Sequence, residues 1–124
     1  MFDGSKLSLN ENIEKTSEIA DLAHSYKVSV EGEIGFVGYN QGAESLSTNP
    51  IEAKKFAEQT DCDAMAISAG NVNLQTNKSS SIDMNVIKNI EDLTSIPLVL
   101  HVSSWIEYGL RTVSYTHLTL PTKA

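Results

Sequence analysis

The sequence predicts an α/β fold with parallel strands, arranged either as a doubly wound sheet or as a (β/α)₈ barrel. Segments with the apolar spacing of amphipathic helices alternate with short segments that have the composition of strands, and brief polar connectors separate them. The strand segments are too apolar to expose one face to water, which is typical of strands in parallel sheets.

The first helix and strand occupy the amino-terminal third of the chain. Residues 9–26 have helical apolar spacing, with Ser8 or Asn10 as the cap. Residues 28–34 are rich in β-branched side chains and form a predicted strand, which ends at Gly35. The apolar positions that we expect the helix to bury are Ile13, Ile19, Leu22, Ala23 and Tyr26.

The second helix begins at Asn49-Pro50, where asparagine is a favourable cap and proline fits the first helical position. It extends over residues 50–60 and is predicted to bury Ala53, Phe56 and Ala57. A predicted strand over residues 64–69 follows.

The remaining elements are a polar loop over residues 71–81, a helix over 83–93 and a strand over 97–101. Proline is tolerated as the first residue of that strand. With a strand end at residues 1–3, the chain has about half of the eight strands that close a barrel. We therefore expect a partial (β/α)₈ (TIM) barrel if the fold is of the barrel type.

Composition excludes several classes of protein. The 124 residues carry a formal net charge of −7, which argues against nucleic acid or an anionic membrane as a partner. No apolar run approaches the roughly 20 residues that span a bilayer. Cys62 is the single cysteine, so no internal disulfide is expected. Cytoplasm is the expected compartment.

The last thirteen residues break the pattern of alternating elements. Residues 112–124 contain four threonines and no acidic residue, and they resemble the conceptual translation of transposase-adapter DNA from sequencing libraries. The alternative is a natural β-prone extension. We expect a domain over residues 1–111 and a non-native tail over 112–124.

Polar side chains follow several of the predicted strands, at the edge where parallel α/β proteins gather their chemistry. Asp3, Glu31, Glu33 and His101 lie near these strand ends, and their oxygen and nitrogen atoms suit a zinc-class divalent ion. Ser103 and Ser104 supply hydroxyls that suit a phosphate. Each residue also has a structural interpretation, as a packed histidine, solvent-facing carboxylates or a turn.

Five sequence segments, in order, resemble the class II fructose-bisphosphate and tagatose-bisphosphate aldolases. The resemblance covers essentially residues 1–110, and the segments that carry it are Met-Phe-Asp-Gly-Ser at 1–5, Glu-Asn-Ile at 11–13, Val-Ser-Val-Glu-Gly-Glu-Ile-Gly at 28–35, Gly-Asn-Val at 70–72 and Pro-Leu-Val-Leu-His at 97–101. The resemblance implies an internal fragment of a (β/α)₈ barrel, from the end of strand 4 through strand 7.

The resemblance also implies a chemistry. His101 matches a zinc ligand, Asp3 and Glu33 match carboxylates that contact the metal in an alternative position, and Ser104, beside Ser103, matches a residue that holds the substrate phosphate. The expected reaction is reversible aldol cleavage of a ketose bisphosphate to dihydroxyacetone phosphate and an aldehyde phosphate. Zn²⁺ would act as a Lewis acid that stabilises the enediolate. The implied parent enzyme is a cytoplasmic homo-oligomer of carbohydrate metabolism, specifically glycolysis.

The sequence departs from the family pattern at the site. Asn73 stands where the family has a zinc-binding histidine, and Gln41 stands where an acid is expected to transfer a proton. Val102 and Trp105 replace glycines near the phosphate. We therefore expect this piece to be inactive alone. The alternatives are a non-catalytic sugar-phosphate-binding or interaction module on a decayed aldolase barrel, and an unrelated barrel or flavodoxin-like protein.

Overall fold

The computed structural model describes residues 1–35, 47–70 and 82–101. The predicted loop over residues 71–81 and the proposed tail over 112–124 lie outside these ranges, so the division into a domain and a tail stays a prediction. Within the described ranges, strands and helices alternate as the sequence predicts. They are β1 (Phe2–Asp3), α1 (Leu9–Ser25), β2 (Glu31–Glu33), α2 (Pro50–Thr60), β3 (Ala64–Ala66), α3 (Met84–Leu93) and β4 (Leu98–Val99).

The four strands form one parallel sheet in the order β1-β2-β3-β4. Strands that are consecutive in the sequence are therefore neighbours in space, and a helix connects each pair. One row of paired residues runs across the sheet, from Asp3 to Glu33, Ala66 and Val99. Paired residues of neighbouring strands project to the same face, so this row marks one face of the sheet.

The helices pack on the other face. A Cβ atom on Gly32 would lie 2.9 Å from ring carbons of Phe56 in α2 and 3.0 Å from the methyl carbon of Thr16 in α1. α2 also contacts α3, so the three helices form a continuous layer. A doubly wound sheet carries helices on both faces, whereas a barrel carries them only outside. The sequential strand order and the single helix layer are those of a partial (β/α)₈ barrel.

The apolar core lies between the sheet and this helix layer. Phe56 of α2, Met65 of β3 and Ile90 of α3 are completely buried, and Leu98 of β4 is 2% exposed. Met65 pairs with both Gly32 and Leu98 in the sheet, so all three residues project towards the helices. Side chains of this size each stabilise a fold by about 1.5–3 kcal/mol when they are buried.

Side-chain caps fix where the helices begin. Ser8, rather than Asn10, caps α1, and its hydroxyl and the Glu11 carboxylate form a reciprocal capping box. The Asn49 side chain accepts hydrogen bonds at the start of α2, as the Asn49-Pro50 sequence predicts.

The helices in the described part of the chain all fall short of the length and apolarity that a bilayer crossing requires.

The predicted buried face of α1 is partly wrong. Leu22 and Tyr26 are 63% and 75% exposed. Ile13 is buried as predicted, and the helix also turns Asn12, Thr16 and Ala20 inwards. Asn12 and Thr16 are polar, and buried polar side chains are satisfied by hydrogen bonds. A prediction from the spacing of apolar residues does not take such hydrogen bonds into account.

The strands are shorter than predicted. The segments predicted over residues 28–34, 64–69 and 97–101 contain paired strands of only three, three and two residues. The main chain remains hydrogen-bonded just beyond the pairs: Ile34 N donates to Ala66 O at 2.9 Å, and Ile67 N donates to Val99 O at 3.0 Å. Apolar composition therefore predicts the extent of the buried segment better than the extent of the paired strand.

Candidate metal site

Asp3 and Glu33 are the last residues of β1 and β2, and His101 follows β4, so all three lie at the carboxyl end of the sheet. Asp3 and Glu33 are direct neighbours in the register of β1 and β2. His101 follows Val99, which shares their row, by two residues. Because side chains alternate along a strand, Glu33 projects away from the face on which Gly32 meets the helices.

Glu33 is a buried carboxylate among other charged groups. The residue is 7% exposed, and burial is the main cause that raises the pKa of its carboxyl. The negative charges of Asp3 and Glu31 raise this pKa further, whereas His101 lowers it. The four side chains are thus close enough to interact electrostatically, and the carboxylates concentrate negative charge at this end of the sheet.

The main chain of Glu33 is held by a buried polar contact from α1. The Asn12 side-chain amide donates a hydrogen bond of 2.8 Å to Glu33 O, and Thr16 Oγ1 donates one of 3.0 Å to Asn12 Oδ1. Asn12 also occupies the space next to Gly4 where a Cβ atom would lie. A glycine at position 4 therefore allows α1 to bind the carboxyl end of β2 closely.

A second contact fixes the chain just beyond Glu33. Thr48 Oγ1 donates to Ile34 O at 3.0 Å and accepts from Ser68 N at 2.9 Å, while Thr48 N donates to Ser68 O at 2.8 Å. The Thr48 side chain fits because Gly35, at φ 84°, has no Cβ and adopts a left-handed conformation. Thr48 thus joins the carboxyl ends of β2 and β3.

Asp3 is oriented by Ser5, which lies in the turn after β1. Its Oδ1 atom accepts hydrogen bonds from Ser5 N at 3.0 Å and from Ser5 Oγ at 2.6 Å. These contacts fix one carboxylate oxygen in place. Asp3 is exposed, so it is the accessible member of the Asp3–Glu33 pair.

His101 contacts Glu31, which is not one of the two predicted carboxylate ligands. Its Nε2 atom lies 2.8 Å from Glu31 Oε1, and the two side chains are 36% and 25% exposed. The sequence places Glu31 on the same strand face as Glu33, but the family resemblance names only Glu33 as a ligand. Asn12, Thr48 and Ser68 were missed entirely, because buried polar residues that support the main chain have no pattern of their own.

The remaining predicted site residues lie outside the described ranges: Gln41, Asn73, Ser103 and Ser104. Within residues 1–35, 47–70 and 82–101, no three histidine, cysteine or acidic side chains are grouped closely enough to hold a metal ion. The donor chemistry nevertheless fits a divalent cation, since two carboxylates and one imidazole are typical ligands. Burial is the main cause of the raised pKa of Glu33, and a cation would also offset the negative charges of Asp3 and Glu31, which raise this pKa further.

Comparison with known proteins identifies the family. A model of the family described as class II fructose-bisphosphate aldolase matches residues 1–110. The crystal structure of the YdjI aldolase from Escherichia coli K12 superposes with a TM-score of 0.76 at 31% sequence identity. This superposition covers 94% of the present chain and 40% of the YdjI chain.

Two further solved structures share the fold at lower identity. A Coccidioides immitis protein assigned as a fructose-1,6-bisphosphate aldolase gives a TM-score of 0.81 at 21% identity, over 96% of this chain and 45% of its own. Fructose-bisphosphate aldolase from Campylobacter jejuni gives a TM-score of 0.64 at 23% sequence identity, over 95% of this chain and 37% of its own. The chain thus spans less than half the length of these solved proteins. The family model matches residues 1–110, and the parallel sheet with its single helix layer agrees with the fold of these proteins. The chain therefore belongs to the class II fructose-bisphosphate aldolase family.

Proposed function

We propose that this chain is an internal portion of a zinc-dependent aldolase that reversibly cleaves a ketose bisphosphate to dihydroxyacetone phosphate and an aldehyde phosphate. The observation that supports this proposal is the joint position of Asp3, Glu33 and His101 at one end of a parallel sheet. Membership of an aldolase family supports the type of reaction, a lyase reaction on a phosphorylated sugar.

In this proposal the metal ligands are His101, Glu33 and Asp3. A bound zinc ion would polarise the ketose carbonyl as a Lewis acid. Glu33 would supply a buried carboxylate, so that little water competes with it for the ion. Asp3 would supply a carboxylate that hydrogen bonds from Ser5 already orient. Ser103 and Ser104 would bind a substrate phosphate through their hydroxyls.

The proposed chemistry is incomplete in this chain. Asn73 replaces a histidine of the family pattern, so the ion would have one ligand fewer, and Gln41 has no carboxylate with which to transfer a proton. We therefore propose that the 124-residue chain is inactive alone. We further propose that the parent enzyme is a cytoplasmic homo-oligomer, with the aldolase domain over residues 1–111 and a non-native tail over 112–124.

The second candidate function is a sugar-phosphate-binding or interaction module without catalysis. The same replacements favour it, because Asn73 and Gln41 remove catalytic groups while Ser103 and Ser104 keep hydroxyls for a phosphate. Such a module would bind fructose 1,6-bisphosphate without a metal ion. Binding that persists unchanged in a chelator would therefore support the module and contradict the zinc-dependent site.

Restoring the missing ligand tests the proposed function directly. The purified chain is expected to show no aldol cleavage of fructose 1,6-bisphosphate or tagatose 1,6-bisphosphate when zinc is added. Asn73→His is expected to strengthen zinc binding at least about tenfold, a change of about 1.4 kcal/mol, because it adds an imidazole ligand. The matched control, Asn71→His, places a histidine two residues away. Equal zinc affinity in the chain and both variants would contradict the proposed ligand set.

A further inference from the structure

Ser68 carries a hydroxyl group that has no hydrogen-bond partner in the part of the chain that the structure describes. The residue is completely buried, so its hydroxyl has no exposed surface at which solvent could satisfy it. The large majority of buried side-chain hydroxyls have a partner, because an unsatisfied one destabilises the fold. Ser68 is neither a metal ligand nor a phosphate-binding residue in the proposed function, so its hydroxyl needs a separate explanation.

The main chain around Ser68 is held by hydrogen bonds, so a small shift of the backbone cannot give the hydroxyl a partner. Thr48 N donates to Ser68 O at 2.8 Å, and Ser68 N donates to Thr48 Oγ1 at 2.9 Å. Ile67 N, one residue earlier, donates to Val99 O at 3.0 Å. An alanine at position 68 would keep these contacts and remove the unsatisfied group. Local departures of this kind, which reduce stability without a structural gain, concentrate at functional sites.

The Ser68 side chain projects to the face of the sheet that carries the candidate metal site. Ala66 pairs with Glu33, and Ser68 follows Ala66 by two residues, so strand alternation places Ser68 on the same face. A Cβ atom on Gly35 would lie 3.2 Å from Ser68 Cβ, so Ser68 lies beside the carboxyl end of β2. β3 itself lies between β2, which ends at Glu33, and β4, which His101 follows. Ser68 therefore follows the strand between the two that position these proposed metal ligands.

The charge on this face determines which ligand group suits the hydroxyl. Asp3, Glu31 and Glu33 place three carboxylates on the same face, and negative charges repel a phosphate group. A serine hydroxyl both donates and accepts hydrogen bonds. The hydroxyl group of a sugar does the same and carries no charge. A sugar hydroxyl therefore complements Ser68 better than a phosphate does.

We propose that Ser68 Oγ binds a neutral hydroxyl group of the sugar ligand, which makes Ser68 a specificity-determining residue for the carbon chain of the ligand rather than for its phosphates. This role rests on the proposed function for the identity of the ligand as a ketose bisphosphate. The position of Ser68 and its burial do not depend on a metal ion.

Ser68→Ala tests this role, because ligand binding and ordinary structural support predict opposite changes in stability. The substitution is expected to raise the urea midpoint of the ligand-free chain, since it removes an unsatisfied hydroxyl. It is also expected to weaken the binding of fructose 1,6-bisphosphate to the full 124-residue chain about tenfold, measured by calorimetry, because a sugar hydroxyl loses its partner. A lower urea midpoint would show that Ser68 Oγ already has a partner in the chain and would overturn the proposal. Equal affinity for fructose 1,6-bisphosphate would also overturn it.

A control variant and a control ligand make the comparison specific. Ser95→Ala removes an exposed serine hydroxyl that precedes β4, at the opposite end of the sheet, and is expected to leave both the urea midpoint and the affinity unchanged. Inorganic phosphate is expected to bind the chain and Ser68→Ala equally. A loss of phosphate affinity in Ser68→Ala as large as the loss for fructose 1,6-bisphosphate would show that Ser68 contacts a phosphate group, and it would overturn the assignment to a sugar hydroxyl.

Titrations with added zinc and with a chelator separate the role of Ser68 from the proposed function. Binding of fructose 1,6-bisphosphate that persists unchanged in the chelator and weakens in Ser68→Ala would contradict the zinc-dependent function and support the role of Ser68. Failure of fructose 1,6-bisphosphate to bind under both conditions would overturn the role of Ser68. The zinc ligands would then still be tested by the zinc affinity of Asn73→His.

Discussion

Two neighbouring hydroxyl groups near the candidate site are expected to have opposite effects on stability. Thr48 Oγ1 makes hydrogen bonds to Ile34 O and Ser68 N, and Thr48 is 3% exposed. Ser68 is completely buried, and its Oγ atom has no hydrogen-bond partner in the part of the chain that the structure describes. A buried hydroxyl without a partner destabilises the fold. Removing a buried hydroxyl that does have partners also destabilises the fold, because it leaves those partners unsatisfied.

Ser68→Ala is therefore expected to raise the free energy of unfolding by about 1 kcal/mol, because the substitution removes an unsatisfied polar group. Thr48→Val keeps the shape of the side chain but leaves Ile34 O and Ser68 N unpaired, and it is expected to lower the free energy of unfolding by about 1–3 kcal/mol. Urea denaturation of the two variants measures both changes. Destabilisation by Ser68→Ala comparable to that of Thr48→Val would show that Ser68 Oγ has a partner.

At the scale of the elements, an ion pair attaches the end of α1 to the start of β3. His24 Nε2 lies 2.8 Å from Asp63 Oδ2, which also accepts a hydrogen bond of 2.7 Å from Val30 N. The hydrogen bond to Asp63 is the main cause that raises the pKa of His24, and the hydrogen bond to His24 is the main cause that lowers the pKa of Asp63.

These shifts predict a pH window for the stabilisation. The contribution of His24 is complete below its ordinary pKa of about 6.5 and is lost as the pH rises through the raised value. The contribution of Asp63 is complete above its ordinary pKa of about 3.9 and is lost as the pH falls through the lowered value. His24→Ala is therefore expected to destabilise the chain most between about pH 4 and pH 6.5, and progressively less at higher pH.

Urea denaturation at several pH values measures this effect. Lys15→Ala is the matched control, because it removes an exposed pair with Glu18 in the same helix without removing a histidine. Its small effect is expected to stay constant across the neutral range. The range from about pH 6 to about pH 9 includes the ordinary histidine pKa of about 6.5. A destabilisation by His24→Ala that does not change over this range would contradict the assigned ion pair.

The contact between β2 and the helix layer depends on a glycine. A Cβ atom at position 32 would lie 2.9 Å from Phe56 ring carbons, closer than carbon atoms pack without displacement. Gly32→Ala is expected to destabilise the chain by about 1–3 kcal/mol, the usual cost of overpacking a core. In a double-mutant cycle, Phe56→Leu is expected to recover part of this loss, because it shortens the opposing side chain. Strictly additive effects would show that the two positions do not touch.

The sequence predicts the type and order of these elements better than their orientation. The cap and first turn of α2 follow from Asn49 and Pro50, because both residues act within one turn of chain. The orientation of α1 depends on Asn12 and on Gly32, which lies in another element. No periodicity within α1 could therefore have predicted that Leu22 faces solvent.

At the scale of the whole molecule, the fold separates a helix-covered face from a face that carries charge. Register alone brings Asp3 beside Glu33, and strand alternation places both away from the core. The sequence could predict this part of the site, since it depends on strand ends. It could not predict the pairing of His101 with Glu31, which depends on side-chain contacts across a third strand.

Zinc titration by isothermal calorimetry tests whether Asp3, Glu33 and His101 share one divalent ion, as we propose. The chain is expected to bind zinc, and Glu33→Gln and His101→Ala are each expected to weaken binding at least about tenfold, or about 1.4 kcal/mol. His24→Ala removes a histidine at the opposite end of the sheet and is expected to leave zinc affinity unchanged. Zinc affinity that survives both Glu33→Gln and His101→Ala, or that falls only in His24→Ala, would contradict the shared site.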